Sequence, residues 1–77
     1  MLTKLTRMVN NRERYYIISI YVTLLGDFCV ERMYGASKNA TPSGRIRSYH
    51  PARDEADKKL SSIMKTKISK GYNIICI

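Results

Sequence analysis

A run of β-forming residues from Tyr15 to Leu24 constrains the fold of this chain more than any other feature. The run is rich in Tyr, Ile and Val, whose aromatic or branched side chains suit a pleated surface. Its apolar residues face both sides of the predicted strand, so we expect that strand to be largely covered. Leu25-Gly26-Asp27 then predicts a turn, because glycine tolerates the backbone angles that turns require. Residues 28–34 are predicted to return as the second strand of a hairpin.

The alternation of the second strand predicts which of its side chains share a face. One face is expected to carry Phe28, Val30, Arg32 and Tyr34, and the other Cys29, Glu31 and Met33. Residues 35–44 are small, polar, Gly or Pro, which predicts a loop. Residues 45–49 are predicted to form a short third strand, and the apolar residues 73–77 a short strand at the sheet edge.

One amphipathic helix is predicted after Pro51, whose fixed φ suits a first helical turn. Gly71 marks its expected end. Its apolar face follows helical spacing through Ala56, Leu60, Ile63, Met64 and Ile68. Two ion pairs at i,i+4 spacing are expected, Asp54–Lys58 and Glu55–Lys59.

Lys67 interrupts the apolar face of this helix. At 100° per residue it falls between Ile63 and Ile68, near the centre of the face. One interpretation is a lysine that buries its stem and extends its ammonium group to solvent. The other is a fixed ion pair with Glu31 or with the carboxylate of the chain end.

These elements together predict an α+β fold. We expect a small antiparallel sheet of about three to five strands, with one long helix from the C-terminal half packed against it. A chain of 77 residues corresponds to one domain. Residues 1–14 show no apolar periodicity and are predicted to be a flexible basic N-terminal arm, which leaves residues 15–77 as the single domain.

The charge of the chain points to an anionic partner. Lys and Arg number 14 against six acids, which gives a net charge of +8. Residues 35–53 contain no acid and carry the cations Lys38, Arg45, Arg47 and Arg53. Such an excess predicts affinity for polyanions such as nucleic acid.

Several other classes of function find no support in the residues. The chain has no glycine-rich phosphate loop. His50 is its single histidine, so neither a catalytic triad nor a four-ligand zinc site with Cys29 and Cys76 is expected. We expect both cysteines to be reduced thiols, with one disulfide as the alternative. No apolar run is long enough for a signal peptide or a membrane span, so we expect a cytoplasmic protein with no membrane association, no cofactor and no small-molecule substrate.

Several short segments, in this order, carry a resemblance to a known family. They are Leu24-Leu25-Gly26-Asp27-Phe28, Val30-Glu31-Arg32-Met33-Tyr34-Gly35-Ala36, Gly44-Arg45-Ile46-Arg47, His50-Pro51, Ala56 with Leu60, and Lys67 with Lys70-Gly71-Tyr72. Residues 15–73 resemble the WGR domain, which is named for a Trp-Gly-Arg tripeptide and occurs in poly(ADP-ribose) polymerases and in short bacterial proteins. Here Tyr34-Gly35-Ala36 stands in place of that tripeptide.

The resemblance implies an antiparallel sheet with one helix and a role in binding nucleic acid. In the polymerases the tryptophan packs on the DNA backbone and the arginine contacts it. Tyr34 would keep the stacking role, while neighbouring cations would replace the missing arginine. The expected binding residues are Arg32, Tyr34, Lys38, Arg45 and Arg47. We therefore expect a non-enzymatic module with weak, backbone-directed DNA binding. The alternative is a protein-interaction adaptor or regulatory module whose partner is another protein.

Overall fold

A computed structural model describes residues 2–75, which form an antiparallel sheet of five strands and one helix. The elements are β1 (Leu2–Val9), β2 (Arg12–Val22), β3 (Phe28–Ala36), β4 (Gly44–His50), α1 (Arg53–Ser69) and β5 (Asn73–Ile75). The strands lie in the order β4-β3-β2-β1-β5. The helix packs against one face of this sheet, so the predicted α+β class is confirmed.

The predicted hairpin is formed by β2 and β3, which pair from Arg14↔Ala36 to Val22↔Phe28. β2 ends at Val22 because Thr23 already belongs to the turn, where its N–H donates to the carbonyl of Asp27 at 2.8 Å. Gly26 takes a φ of +90°, as a turn glycine is expected to do. The predicted alternation also holds, since Val30 is in the core beneath the helix while Glu31 lies on the opposite face beside Arg47.

The predicted flexible arm is wrong, because residues 2–9 form β1 and β2 begins at Arg12. β1 pairs with β2 along its whole length, from Leu2↔Ser19 to Val9↔Arg12. Two asparagines make the connecting turn, Asn10 at φ 52° and Asn11 at φ 64°. Asparagine accepts these left-handed angles more readily than most residues do.

The core lies between α1 and the three strands β1, β2 and β3. The helix contributes Ala56, Leu60 and Ile63, which are all buried. The sheet contributes Leu5, Tyr16, Ile18, Ile20 and Val30. Ile68, which was predicted on the same apolar face, is instead exposed.

The ends of the helix fall where its sequence signals predict them. Lys70 caps the C-terminus, and Gly71 leaves it at a φ of +99°. The helix ion pair within residues 2–75 joins Arg53 to Asp57 at 3.3 Å, so the predicted pairs of Asp54 with Lys58 and of Glu55 with Lys59 are wrong.

The predicted edge strand is confirmed for residues 73–75, which pair with β1 as β5. Residues 76 and 77 lie outside the described residues, and so does the expected thiol of Cys76. Cys29 is a free and fully buried thiol.

Candidate functional site

The sheet separates the five binding residues that the sequence predicts. Arg32 and Tyr34 lie on the face of β3 that carries the helix. Arg45 and Arg47 lie on the opposite face, paired in register with Met33 and Glu31. Lys38 is exposed in the loop that follows β3. The structure therefore brings Arg32 and Tyr34 together, leaves Arg45 and Arg47 on the other face of the sheet, and leaves Lys38 in a loop.

Arg47 and Arg45 are engaged within the protein. The Arg47 Nε donates to the Glu31 carboxylate at 2.5 Å, and this hydrogen bond raises the pKa of Arg47 above its ordinary value. Arg45 donates to the sulfur of Met33 at 3.3 Å. The partner of Glu31 is thus Arg47, and the predicted ion pair between Glu31 and Lys67 is wrong.

The ring of Tyr34 is packed inside the protein. It stacks on Tyr16, with the ring centroids 5.8 Å apart and the planes 10° from parallel. The backbone of Gly44 also lies against the ring, so close that a Cβ at this position would be 2.7 Å from Cε2 of Tyr34. Packing at the edge of the core is therefore one role that the structure gives Tyr34.

A cleft of about 270 Å³ opens between the C-terminal half of α1 and strands β2 and β3. We call it the cationic cleft, and it is lined by Arg14, Tyr16, Arg32, Tyr34, Ile46, Lys67 and Tyr72. Three of these residues are cations and none is an acid. A second opening along the helix, lined in part by Lys59 and Thr66, shares Tyr16, Arg32 and Lys67 with it.

Strand register and helix phase assemble this cleft. Arg14 and Tyr16 are two residues apart on β2 and so point to the same face, and Tyr34 is the partner of Tyr16 on β3. Lys67 comes down from the helix and places its Nζ 4.3 Å from the centroid of the Tyr16 ring. Tyr72 follows the helix and meets Tyr16 edge-on, with 6.1 Å between the centroids.

Lys67 brings its ammonium group into contact with aromatic rings, which neither interpretation from the sequence included. Its ammonium group sits over Tyr16 and also 5.8 Å from the centroid of Tyr72, as in a cation–π contact. Burial lowers the pKa of Lys67, and the nearby positive charges of Lys70, Arg32 and Arg7 lower it further. The carboxylate of the chain end, the other proposed partner, lies outside the described residues.

Arg32 has a buried donor without a hydrogen-bond partner among the described residues. Its Nε is buried, and no acceptor within residues 2–75 takes a hydrogen bond from it. Buried polar atoms in proteins usually have such a partner. The neighbouring residues in the sheet are apolar, since Arg32 pairs with Ile18 on β2 and with Ile46 on β4. Arg32 thus lies under the helix with an unused donor.

More positive charge meets at the same end of the sheet. Arg7 and Arg14 are direct cross-strand partners, and like charges in that position are destabilising. Arg7 donates to the backbone carbonyl of Lys70 at 2.6 Å and lies over the Tyr72 ring. The end of a helix carries about half a negative charge, which offsets part of this excess. That leaves Arg14, Arg32 and Lys67 without an anionic partner among the described residues.

Sequence reasoning found Arg32 and Tyr34 but did not assign Arg14, Lys67 or Tyr72 to a binding site. Arg14 was placed in the predicted arm, and its role depends on the register between β2 and β3. Lys67 did give a signal, because a lysine at the centre of an apolar helix face calls for a local explanation. Tyr72 gave none, since an aromatic residue after a helix end is common in packing.

Residues 2–75 contain neither a helix that is long and apolar enough to cross a membrane nor a group of three His, Cys, Asp or Glu side chains that could hold a metal ion. Comparisons of the chain with protein-family models, with curated proteins and with solved structures find no match.

Proposed function

We propose that this protein is a non-enzymatic module that binds the backbone of nucleic acid, and of DNA in particular. The observation that carries the proposal is the cationic cleft, in which Arg14, Arg32 and Lys67 meet without an acid. Like charges that lie close together repel one another and lower the stability of the fold. A bound polyanion neutralises them and removes that repulsion. The proposal places the protein in the cytoplasm.

The distribution of charge along the molecule supports this proposal. The C-terminal end of α1 lies beside the β1–β2 turn, since Arg7 contacts Lys70. The helix begins at the other end, where Arg53 lies over the ring of Phe28. The first of these ends carries Arg7, Arg12, Arg14, Lys38, Lys67 and Lys70 against Glu13, and we call it the basic end. The acids Asp27, Asp54, Glu55 and Asp57 belong to the opposite end.

The resemblance to the WGR domain remains a hypothesis within this proposal, and the register adds one point in its favour. Ala36 occupies the position of the tripeptide's arginine, and its cross-strand partner is Arg14. Cross-strand partners have Cβ atoms about 5 Å apart, so the Arg14 guanidinium can reach the space that the missing side chain would have filled. Arg14 therefore replaces Arg45 and Arg47 as the expected substitute for that arginine.

The proposal is tested by titrating labelled duplex and single-stranded DNA at two salt concentrations. We expect dissociation constants of about 10⁻⁴ to 10⁻⁶ M near physiological salt, with little dependence on sequence. Arg14→Gln and Lys67→Gln should each weaken binding and lower the salt slope by about one unit. Lys58→Gln, which removes an exposed cation near the acidic helix start, is the matched control.

Two outcomes would contradict the proposal. One is the absence of DNA binding even at low salt. The other is an equal effect of Lys58→Gln and Arg14→Gln, because binding would then follow net charge alone and would not depend on the basic end.

A second candidate function is a protein-interaction adaptor, and the exposed hairpin tip favours it. Leu24 and Leu25 are fully exposed in the β2–β3 turn, beside the exposed side chains of Val22, Tyr21 and Tyr49. Contiguous apolar surface of this kind often marks a contact with another protein. This alternative would be favoured by binding to another protein that salt does not weaken and that the double substitution Leu24→Ser/Leu25→Ser abolishes.

A further inference from the structure

We propose that the cationic cleft is a binding site for a single phosphate group. Arg32 and Arg14 would contact the phosphate from the sheet, and Lys67 would contact it from the helix. The inference deepens the proposed function and rests on it for the source of the phosphate, since a nucleic-acid strand and a free phosphate ester offer the same group. Nucleic-acid binding by the basic end alone needs no such site, so the two proposals can fail separately.

The unused donor of Arg32 is the first argument. A guanidinium group has five N–H donors in a planar fork, and in this protein the buried Nε–H has no acceptor within residues 2–75. Such a donor calls for an acceptor from beyond the described residues. Phosphate oxygens match the fork of an arginine, which binds phosphate through parallel N–H···O bonds.

The charge balance of the cleft is the second argument. Arg14 has no hydrogen bond or ion pair with another described residue, and the partners of the Lys67 ammonium group within residues 2–75 are the rings of Tyr16 and Tyr72. The acids of the described chain that form ion pairs, Glu31 and Asp57, hold other arginines. An anion that carries more than one charge therefore complements this cleft.

The shape of the cleft distinguishes phosphate from a carboxylate. Two of the lining cations belong to the sheet and the third belongs to the helix packed on it, so we infer that donors reach a ligand from two sides. A tetrahedral oxyanion has oxygens that point in both directions, whereas the two oxygens of a carboxylate lie in one plane. The arrangement of cations in the cleft therefore favours a phosphate group over a carboxylate.

The test is a titration with inorganic phosphate at constant ionic strength, using chloride as the comparison salt. Nuclear magnetic resonance would follow the Nε–H of Arg32 and the side-chain carbons of Lys67. We expect phosphate, and not chloride, to shift both signals with one common dissociation constant. Arg32→Met and Lys67→Gln should each weaken phosphate binding by about 10–100-fold, as expected for a lost charged hydrogen bond. Lys58→Gln should bind like the parent, and circular dichroism would verify that each variant is folded.

The source of the phosphate is decided by two further ligands. Glycerol phosphate represents a free phosphate ester, and a short oligothymidylate without terminal phosphates represents a strand. If the oligothymidylate shifts the Arg32 Nε–H and competes with inorganic phosphate, the cleft receives a phosphate of the strand, as we expect. If only glycerol phosphate does so, the site stands and its ligand is a free phosphate ester.

Failure of the site looks different from failure of the proposed function. The inference is overturned if phosphate and chloride shift the Arg32 and Lys67 signals alike, or if both variants bind phosphate as the parent does. DNA binding that still depends on Arg14 would then leave the proposed function in place. Phosphate binding without any DNA binding would overturn the proposed function and leave the site.

Discussion

Arg32 carries a charge that the described part of its own fold does not neutralise, so its removal is expected to stabilise the protein. Arg32→Met keeps most of the aliphatic length and removes a buried donor that has no acceptor. We expect the free energy of unfolding to rise by about 0.5–2 kcal/mol, as is common when an unpaired buried polar group is replaced by an apolar one of similar length. Chemical denaturation of parent and variant measures this change. A loss of stability would instead show that Arg32 has a structural partner.

The contact between Gly44 and Tyr34 makes a second prediction at this scale. A methyl group at Gly44 would overlap the ring of Tyr34, which is held in place by its stacking on Tyr16. Gly44→Ala should therefore cost about 1–3 kcal/mol of unfolding free energy, the range for overpacking. In a Tyr34→Ala background the same change should cost much less, and a double-mutant cycle measures the difference. Additive effects would mean that Gly44 is required for a reason other than this contact.

At the level of secondary structure, β1 is an interior strand, since β2 lies on one side of it and β5 on the other. Its Leu5 is fully buried in the core. We expect Leu5→Ala to lower the free energy of unfolding by about 2–5 kcal/mol, as large-to-small substitutions in a core do. Thermal and urea unfolding test this expectation. The neighbouring exposed Met8 provides the control, because Met8→Ala should change stability by no more than about 0.5 kcal/mol.

The elements that the sequence predicts are those with strong local patterns. The run from Tyr15, the Gly26 turn and the spacing of Ala56, Leu60 and Ile63 predict the hairpin and the helix correctly. β1 escapes prediction because Leu5 is its one fully buried residue and polar side chains alternate unevenly around it. Its stability comes from partners on both sides, which a local pattern does not contain.

The candidate site is harder to predict than the elements that build it. Arg32 and Tyr34 follow from the alternation of one strand, but Arg14 joins them only through the register of β2 against β3. A shift of one residue would move Arg14 to the other face of the sheet. Arg45 and Arg47 were predicted from their charge and from the resemblance, and neither says which face of the sheet they occupy.

For the molecule as a whole, the concentration of cations at one end makes stability depend on salt. Arg7 and Arg14 repel each other as cross-strand partners, and Lys67 is repelled by Lys70, Arg32 and Arg7. Added salt screens this repulsion. We expect the free energy of unfolding to rise between about 0.05 and 0.5 M sodium chloride, where the Debye length falls from more than 10 Å to about 4 Å. Over the same range DNA binding should weaken. Calorimetry at the two salt concentrations measures the stability. An unfolding free energy that does not change with salt would show that the cations lie too far apart to interact.

The pairing of β5 with β1 has a consequence for the order in which the chain folds. The pairs Lys4↔Ile75 and Thr6↔Asn73 close nearly the whole polypeptide into one loop, whereas the β1–β2 and β2–β3 hairpins join neighbours. Long loops carry the larger entropic penalty, and β5 is short and has no buried residue. The pairing of β5 with β1 should therefore form last during folding and open first. Hydrogen exchange can test this, because the β1 amides that bond to β5 should exchange faster than those that bond to β2. While that pairing is open, β1 presents an unpaired edge to which a strand of another chain can add.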